Sequence, residues 1–274
     1  MTQLSAKLAA LALAILCTAP AALSQDSLTL WYRQPAGLWV EALPVGNGHL
    51  GAMVFGGAAH ERIQFNEQTV WTGEPHDYSH QGAYQSLGRI RELLFAGRQK
   101  EAEDLAMREF MSVPLRQKAY QAFGDLLLDF PEGDVSGYRR SLNLETGVCS
   151  IEYTQQGVTY RRDVFASYPA KAVVVRISAS RPGSISLEAG LKSAHEGSTV
   201  AVLPTGDLSM TGRVKDSAIR FEARLVVRAD GGQRESRDGK IAITGANSAT
   251  LILSGATNFQ NYKEIGRASC RERV

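Results

Sequence analysis

Apolar positions along this chain recur at two spacings, and the change between them divides it. From Tyr120 onward the period is two. Leu126, Leu128 and Phe130 alternate with Leu127 and Asp129, and Pro131-Glu132-Gly133-Asp134 ends the run with turn-forming residues. Val148, Ile151 and Tyr153, then Val158 and Tyr160 around Gln156-Gly157, predict a hairpin. Further strands are predicted at Val164 to Ser167, Ala172 to Ile177, Ser184 to Ala189, Leu208 to Thr211, Ile219 to Val227, Lys240 to Thr244 and Thr250 to Leu253. Pro182-Gly183, Thr205-Gly206-Asp207, Asp230-Gly231-Gly232, Asp238-Gly239 and Gly245-Ala246-Asn247 punctuate them. Many short strands at regular spacing predict a large two-sheet sandwich. Between Tyr84 and Phe110 the period is helical: Leu87, Ile90 and Leu94 first, then, after Gly97, Ala102, Leu105 and Ala106. Two short helices are expected there, crossing the sheet surface with a solvated charged face. The fold class is therefore mainly β with a short helical insertion.

Before the helices, Leu28 to Tyr32 reads as a first strand. Leu43 to Gly73 breaks the strand rules. Met53 to Phe55 is one apolar run, and Ile63, Phe65 and Val70 belong to a second, so two strands joined by a tight connection are expected. Gly46, Gly48, Gly51, Gly56 and Gly57 are many for ordinary strands. Glycine there marks either a turn or the close approach of another backbone or a ligand. Asn47, His49, Asn66, Glu67 and Trp71 stand among them. Past Gly73, His76, Asp77 and His80 raise a metal site, but no further ligands converge in sequence. A solvated loop is the expectation, with no metal and no cofactor.

Composition changes the picture at the two ends. Lys7, the apolar run Leu8 to Leu16, Pro20 and the small residues of Ala22-Leu23-Ser24 form a signal peptide over residues 1–24, cleaved before Gln25. The run is too short for a bilayer-spanning anchor. Export to a periplasm or the extracellular space is the expected localisation. The formal charge of +2 comes from Lys7 and from an Arg-rich tail, which leaves a neutral body and no case for nucleic-acid or anionic-membrane binding. Cys149 stands alone in the body, where a small buried apolar residue is expected rather than a disulfide or zinc ligand.

The run PVGNGHLGAMVFGG followed by ERIQFNEQTVWTG resembles the N-terminal signature of glycoside hydrolase family 95, the α-L-fucosidase and related α-L-galactosidase family. LWYRQPAGLWVEALPVGNG, YQAFGDLLLDF, YRRSLNLETGVCSIEYTQQGVTYRRDVFASYPAKAVVVRI and ATNFQNYKE fit the family's blocks in order, so the resemblance covers roughly residues 28 to 263. It implies a β-supersandwich over residues 25–263, followed in the family by a helical linker and an (α/α)6 barrel. The family resembles an inverting system, which needs an acid and a base about 6.5–9.5 Å apart. Its catalytic glutamate and aspartate sit in the barrel, and no position here matches them. Glu41, Glu61, Glu67 and Glu74 are expected to be structural.

Residues 264–274 lack apolar alternation, carry Cys270 and resemble a sequencing adapter translated in frame, so the natural reading frame is expected to have been cut just after Lys263. This makes the chain an N-terminal fragment, inactive alone, with the missing barrel as its intramolecular partner and fucosylated or galactosylated glycans as the parent's substrates. Within it, the Gly-rich hairpin is expected to reach the sugar or the barrel: His49 through a hydroxyl, Asn66 and Glu67 through hydrogen bonds, and Trp71 by stacking or anchoring. Trp31, Trp39 and Trp71 are expected to leave one exposed aromatic patch. The alternative is a free-standing β-sandwich carbohydrate-binding or interaction module.

Overall fold

The computed structural model describes residues 28–261 and 263–266. The expected leader and the tail from residue 267 fall outside the described residues. A large sheet contains β1 (Thr29–Tyr32), β6 (Val135–Asn143), β7 (Val148–Gln155), β8 (Val158–Ser167), β9 (Ala172–Ala179), β11 (Thr199–Val202), β12 (Leu208–Arg213), β13 (Arg220–Asp230) and β16 (Ser248–Thr257). A smaller sheet contains β2 (Leu43–Gly46), β3 (Leu50–Val54), β4 (His60–Glu67), β5 (Gly124–Asp129), β10 (Ile185–Lys192), β14 (Gln233–Arg237) and β15 (Lys240–Ala246). Among the described residues the spatial orders are β1-β6-β7-β8-β9-β16-β13-β12-β11 and β14-β15-β10-β5-β4-β3-β2. β17 (Phe259–Asn261) and β18 (Glu264–Ile265) make a separate short ladder, so the first residues of the expected tail are paired.

The alternating side chains do what the period-two pattern requires. In β13, Phe221, Ala223, Leu225 and Val227 are buried while the residues between them face outward. In β4, Ile63 and Phe65 are buried on the same face as Glu61 and Glu67. Phe123 sits between the layers, its ring 5.1 Å from Phe65 of the smaller sheet and 4.8 Å from Phe221 of the large one. One continuous core joins the two sheets, and Cys149 lies fully inside it. The two-sheet, mainly β architecture is the one expected.

Three local expectations need correction. Leu43 to Gly73 holds three strands, not two, because Gly48, at φ +81°, and the Asx turn of Asn47 fold Leu43–Gly46 back onto Leu50–Val54. The helices α1 (Ala83–Phe95) and α2 (Gln99–Glu109) pack on each other through Ile90, Leu93 and Ala102, a cluster separate from the main core. They are split at Gly97, whose N–H and that of Arg98 bond back to Leu94 and Leu93 in a Schellman motif. The three tryptophans are all exposed but do not form one patch. The register puts Trp39, ahead of Leu43, near the Val54 and Ile63 end of the smaller sheet, whereas Trp71 lies beyond Asn66 and Glu67 at the opposite end.

Candidate functional site

The end of the smaller sheet where β4 finishes gathers the residues singled out from sequence. Glu67 ends the inward-facing row of β4, so its carboxylate is buried although the strand stops there. Its Oε1 lies 3.3 Å from Nδ1 of His49, which the tight turn after β2 brings across. Its Oε2 accepts the Thr69 backbone N–H at 2.8 Å and the Thr69 hydroxyl at 2.5 Å. Thr69 in turn touches the hydroxyl of Thr257 on β16, which ties the site to the large sheet. The Tyr120 hydroxyl donates to the Glu67 backbone carbonyl at 3.1 Å. Burial, with the Glu67 charge second, pushes the Tyr120 phenol up, so it stays a neutral donor. Both carboxylate oxygens of Glu67 are therefore engaged inside the protein. Its work is to orient His49, whose imidazole is 18 % exposed, and with Nδ1 directed at a carboxylate it is Nε2 that remains for a ligand.

Asn66 is held in the same way. Its amide donates to the Gln121 carbonyl at 2.8 Å and its oxygen accepts the Glu67 N–H at 2.9 Å. Trp71 differs: its Nε1–H donates to the Gln68 carbonyl at 2.9 Å, Tyr120 packs 5.0 Å away, and the indole is 40 % exposed. The loop carrying it is pinned by backbone bonds from Thr72 to Ala119, Gln121 to Val70 and Gly73 to Asp216. The buried hydroxyl of Ser217 lies within donating distance of the carbonyls of Trp71 and Gly73, at 2.9 and 2.7 Å, and its one proton serves either. Of the four residues expected to contact sugar or barrel, His49 and Trp71 present free chemistry outward, and Asn66 and Glu67 hold the frame. Thr69, Tyr120 and Ser217 complete that frame. Nothing in their local pattern marks them, since each acts through backbone pairing distant in sequence.

A cavity of about 360 Å³ opens beside Trp71, walled by Thr69, Pro75, Tyr78, Ile219 and Phe259. Glu74 is the one carboxylate among its lining residues. His76 and His80 bond the carbonyls of Val113 and Met111, and Asp77 accepts the Ser79 N–H, so these three brace the loop beside the cavity. Among the described residues no group of three or more His, Cys, Asp or Glu side chains is placed to hold a metal ion.

The glycines of the Gly-rich stretch serve a second buried cluster. A side chain at Gly56 would strike Arg140 and Tyr138, and one at Gly57 would sit 1.8 Å from the His60 carbonyl oxygen. The close approach is thus by the protein's own arginine, not by a ligand. Glu61 accepts the Gly56 N–H at 2.7 Å and pairs with Arg162 at 3.1 Å, with both side chains essentially inaccessible. Glu41 accepts the N–H groups of Gly37 and Leu38. Glu41, Glu61 and Glu67 each hold local structure through these bonds.

Residues 30–262 match the glycosyl hydrolase family 65, N-terminal domain. The chain belongs to that family. It is 31 % identical over 259 residues to alpha-L-fucosidase 2 of Arabidopsis thaliana, covering 85 % of this chain and 30 % of the relative. It is 31 % identical over 163 residues to the probable alpha-fucosidase A of Aspergillus niger, covering 56 % of this chain and 20 % of the relative. A solved structure of a putative kojibiose phosphorylase from human microbiome aligns with a TM-score of 0.49 at 8 % identity, over 91 % of this chain and 34 % of that one. These relatives agree with the family 95 resemblance read from the Gly-rich motifs, and the chain is a fucosidase-like N-terminal glycosidase domain. It spans less than a third of the length of these two curated relatives.

Proposed function

We propose that this domain is the non-catalytic part of an exported glycoside hydrolase that removes terminal α-L-fucosyl or α-L-galactosyl groups. In this reading the C-terminal end of β4 completes a sugar pocket whose acid and base come from a barrel domain. The observation that carries it is the His49–Glu67 pair: a buried carboxylate, bonded by Thr69, orients a half-buried imidazole at the end of β4, on the stretch that goes on to the exposed indole of Trp71. A group fixed in this way can hydrogen-bond a hydroxyl at little entropic cost. Inverting hydrolysis needs two carboxyls facing one bond, and this reading assigns both to the barrel. Export follows from the leader.

The test has two arms. The chain alone is assayed on an aryl α-L-fucoside, where no turnover is expected and turnover would overturn the assignment. The locus is then sequenced past the Lys263 codon. A barrel-coding frame is expected, and in the completed enzyme His49→Ala raises KM more than it lowers kcat. Amino-terminal sequencing of the secreted product, expected to begin at Gln25, checks export.

A further inference from the structure

The cavity beside Trp71 is not isolated. Two more, of about 370 and 520 Å³, adjoin it and all three share Lys118. One shares Gly73, Glu74 and His76 with the first cavity, and the other shares Trp71 and Tyr78. Their shared walls make them adjoining parts of one cleft around Lys118.

Its walls are rigid where rings line it. Trp71 is fixed by its bond to Gln68 and by Tyr120. Tyr78 meets His76 edge-on at 4.9 Å, and His76 is anchored to the Val113 carbonyl at 2.9 Å. Gly73, at φ +92°, leaves room for the Lys118 stem, which passes within 2.8 Å of where a Cβ would stand. The side-chain groups of Gln68, Glu74 and Lys118 and the Tyr78 hydroxyl engage no partner among the described residues. Ring faces already held in place supply contact area without a further loss of freedom on binding. The polar groups around them include donors and acceptors, and the cations Arg116, Lys118 and Arg213 are largely offset by the carboxylates Glu74 and Asp216, so a charged ligand gains little over a neutral one. Stacking faces, mixed hydroxyl-bonding groups and nearly offset charges together describe the partner of a neutral, polyhydroxylated chain of rings.

We propose that this cleft binds a neutral oligosaccharide, one pyranose ring stacked on Trp71 and Tyr78 and its hydroxyls bonded by Lys118, Glu74 and Gln68. The proposal rests on the glycosidase reading above and deepens it by naming a subsite lined by this chain's own residues, Ile265 of the expected tail among them.

The experiment uses the full chain, with 2′-fucosyllactose, lactose and a proline-rich peptide as probes. Binding is followed by saturation-transfer NMR and tryptophan fluorescence. A saturable response to 2′-fucosyllactose is expected, with Kd on the order of 1 mM. Tyr78→Ala and Lys118→Met each weaken it roughly tenfold without moving Tm, while Tyr84→Ala, on the exposed face of α1, leaves it unchanged. No saturable response from the wild-type chain, a response undiminished in both cleft variants, or preference for the peptide would overturn the proposal. Equal binding of lactose and 2′-fucosyllactose, lost in the cleft variants, would uphold the oligosaccharide cleft and count against the fucosyl reading. Hydrolysis of aryl fucoside by the completed enzyme, with no sugar response in this chain, would do the reverse.

Discussion

Replacing Glu61 by alanine tests whether buried charge, rather than apolar packing alone, ties the two sheets together. Glu61 projects from β4 of the smaller sheet and Arg162 from β8 of the large one, with Oε2 and Nη1 3.1 Å apart and neither side chain more than 2 % exposed. At that distance, and at the effective dielectric suited to proteins, the gross attraction is about 5 kcal/mol. Burial nevertheless pushes the Glu61 carboxyl up, against the pull of Arg162, the Gly56 N–H and Arg140. Desolvation therefore offsets most of the attraction, and the intact pair is worth little net. Removing one partner is different. Glu61→Ala strands the Arg162 guanidinium, which keeps the Gly57 carbonyl at 2.5 Å and the rings of Phe130 and Tyr153 at 4.6 and 5.8 Å but no carboxylate, and the loss is about 3–5 kcal/mol. Against a typical domain stability of about 5–15 kcal/mol that is a large fraction. The double variant Glu61→Leu with Arg162→Met leaves no stranded charge and recovers most of the loss. Urea unfolding followed by circular dichroism, with unchanged m-values, gives the numbers. A Glu61→Ala cost below about 1 kcal/mol, or a double variant as unstable as the two singles summed, would refute the reasoning.

His60 faces Asp129 at 2.8 Å across β4 and β5, and the bond to that carboxylate raises its pKa. A raised histidine contributes its stability in full below the unfolded value of about 6.5 and loses it as pH climbs through the folded value. Wild type should therefore melt above His60→Gln at pH near 5.5, with the gap closing toward pH 8; parallel profiles would contradict this. Burial pushes the Cys149 thiol up to about 12. The peptide containing Cys149 should resist iodoacetamide in the native chain and react in urea, as read by mass spectrometry; native labelling would place the thiol outside the core. Gly88 lies inside α1 with nothing within 4 Å of an added Cβ, so Gly88→Ala should stabilise by about 1 kcal/mol. Gly57→Ala, whose Cβ would meet the His60 carbonyl, should destabilise strongly. Chemical denaturation that ranks these two the other way would show the loop geometry to be wrong.

What the sequence made legible follows from which interactions are local. Alternation over Val148 to Tyr160 located a hairpin because Gln156 and Gly157 both take positive φ, a turn chemistry written in adjacent residues. β6 was not visible. Its first half, Val135 to Arg139, is exposed or half-exposed and broken by a register shift between Ser136 and Arg139, so no apolar period marks it. β14 has no buried residue, so its QRESR sequence carries no inward row to read. The third strand of the Gly-rich stretch was hidden because Leu43–Gly46 is four residues long and its pairing depends on the Asn47 turn.

The site divides along the same line. His49 and Trp71 stood out because their chemistry is carried by their own side chains. The frame that aims them was silent, since Thr69, Tyr120 and Ser217 act through bonds to chain segments far away in sequence. Parity did hold an unread signal. Glu61 shares the inward row of Ile63 and Phe65, Arg162 shares that of Val164, and Arg140 that of Leu142. A charge on an inward row must find a partner or forfeit the fold. Two arginines and one glutamate on inward rows of different strands therefore imply a buried cluster, and the glycines beside Glu61 are the space it needs. The density of glycine in the motif thus has two causes at opposite ends of β4: room for a buried arginine at one, and a turn that presents His49 at the other. A substitution that harms stability at the first end and sugar recognition at the second would look alike in an activity assay alone. Unfolding and ligand titration have to be read together to separate them.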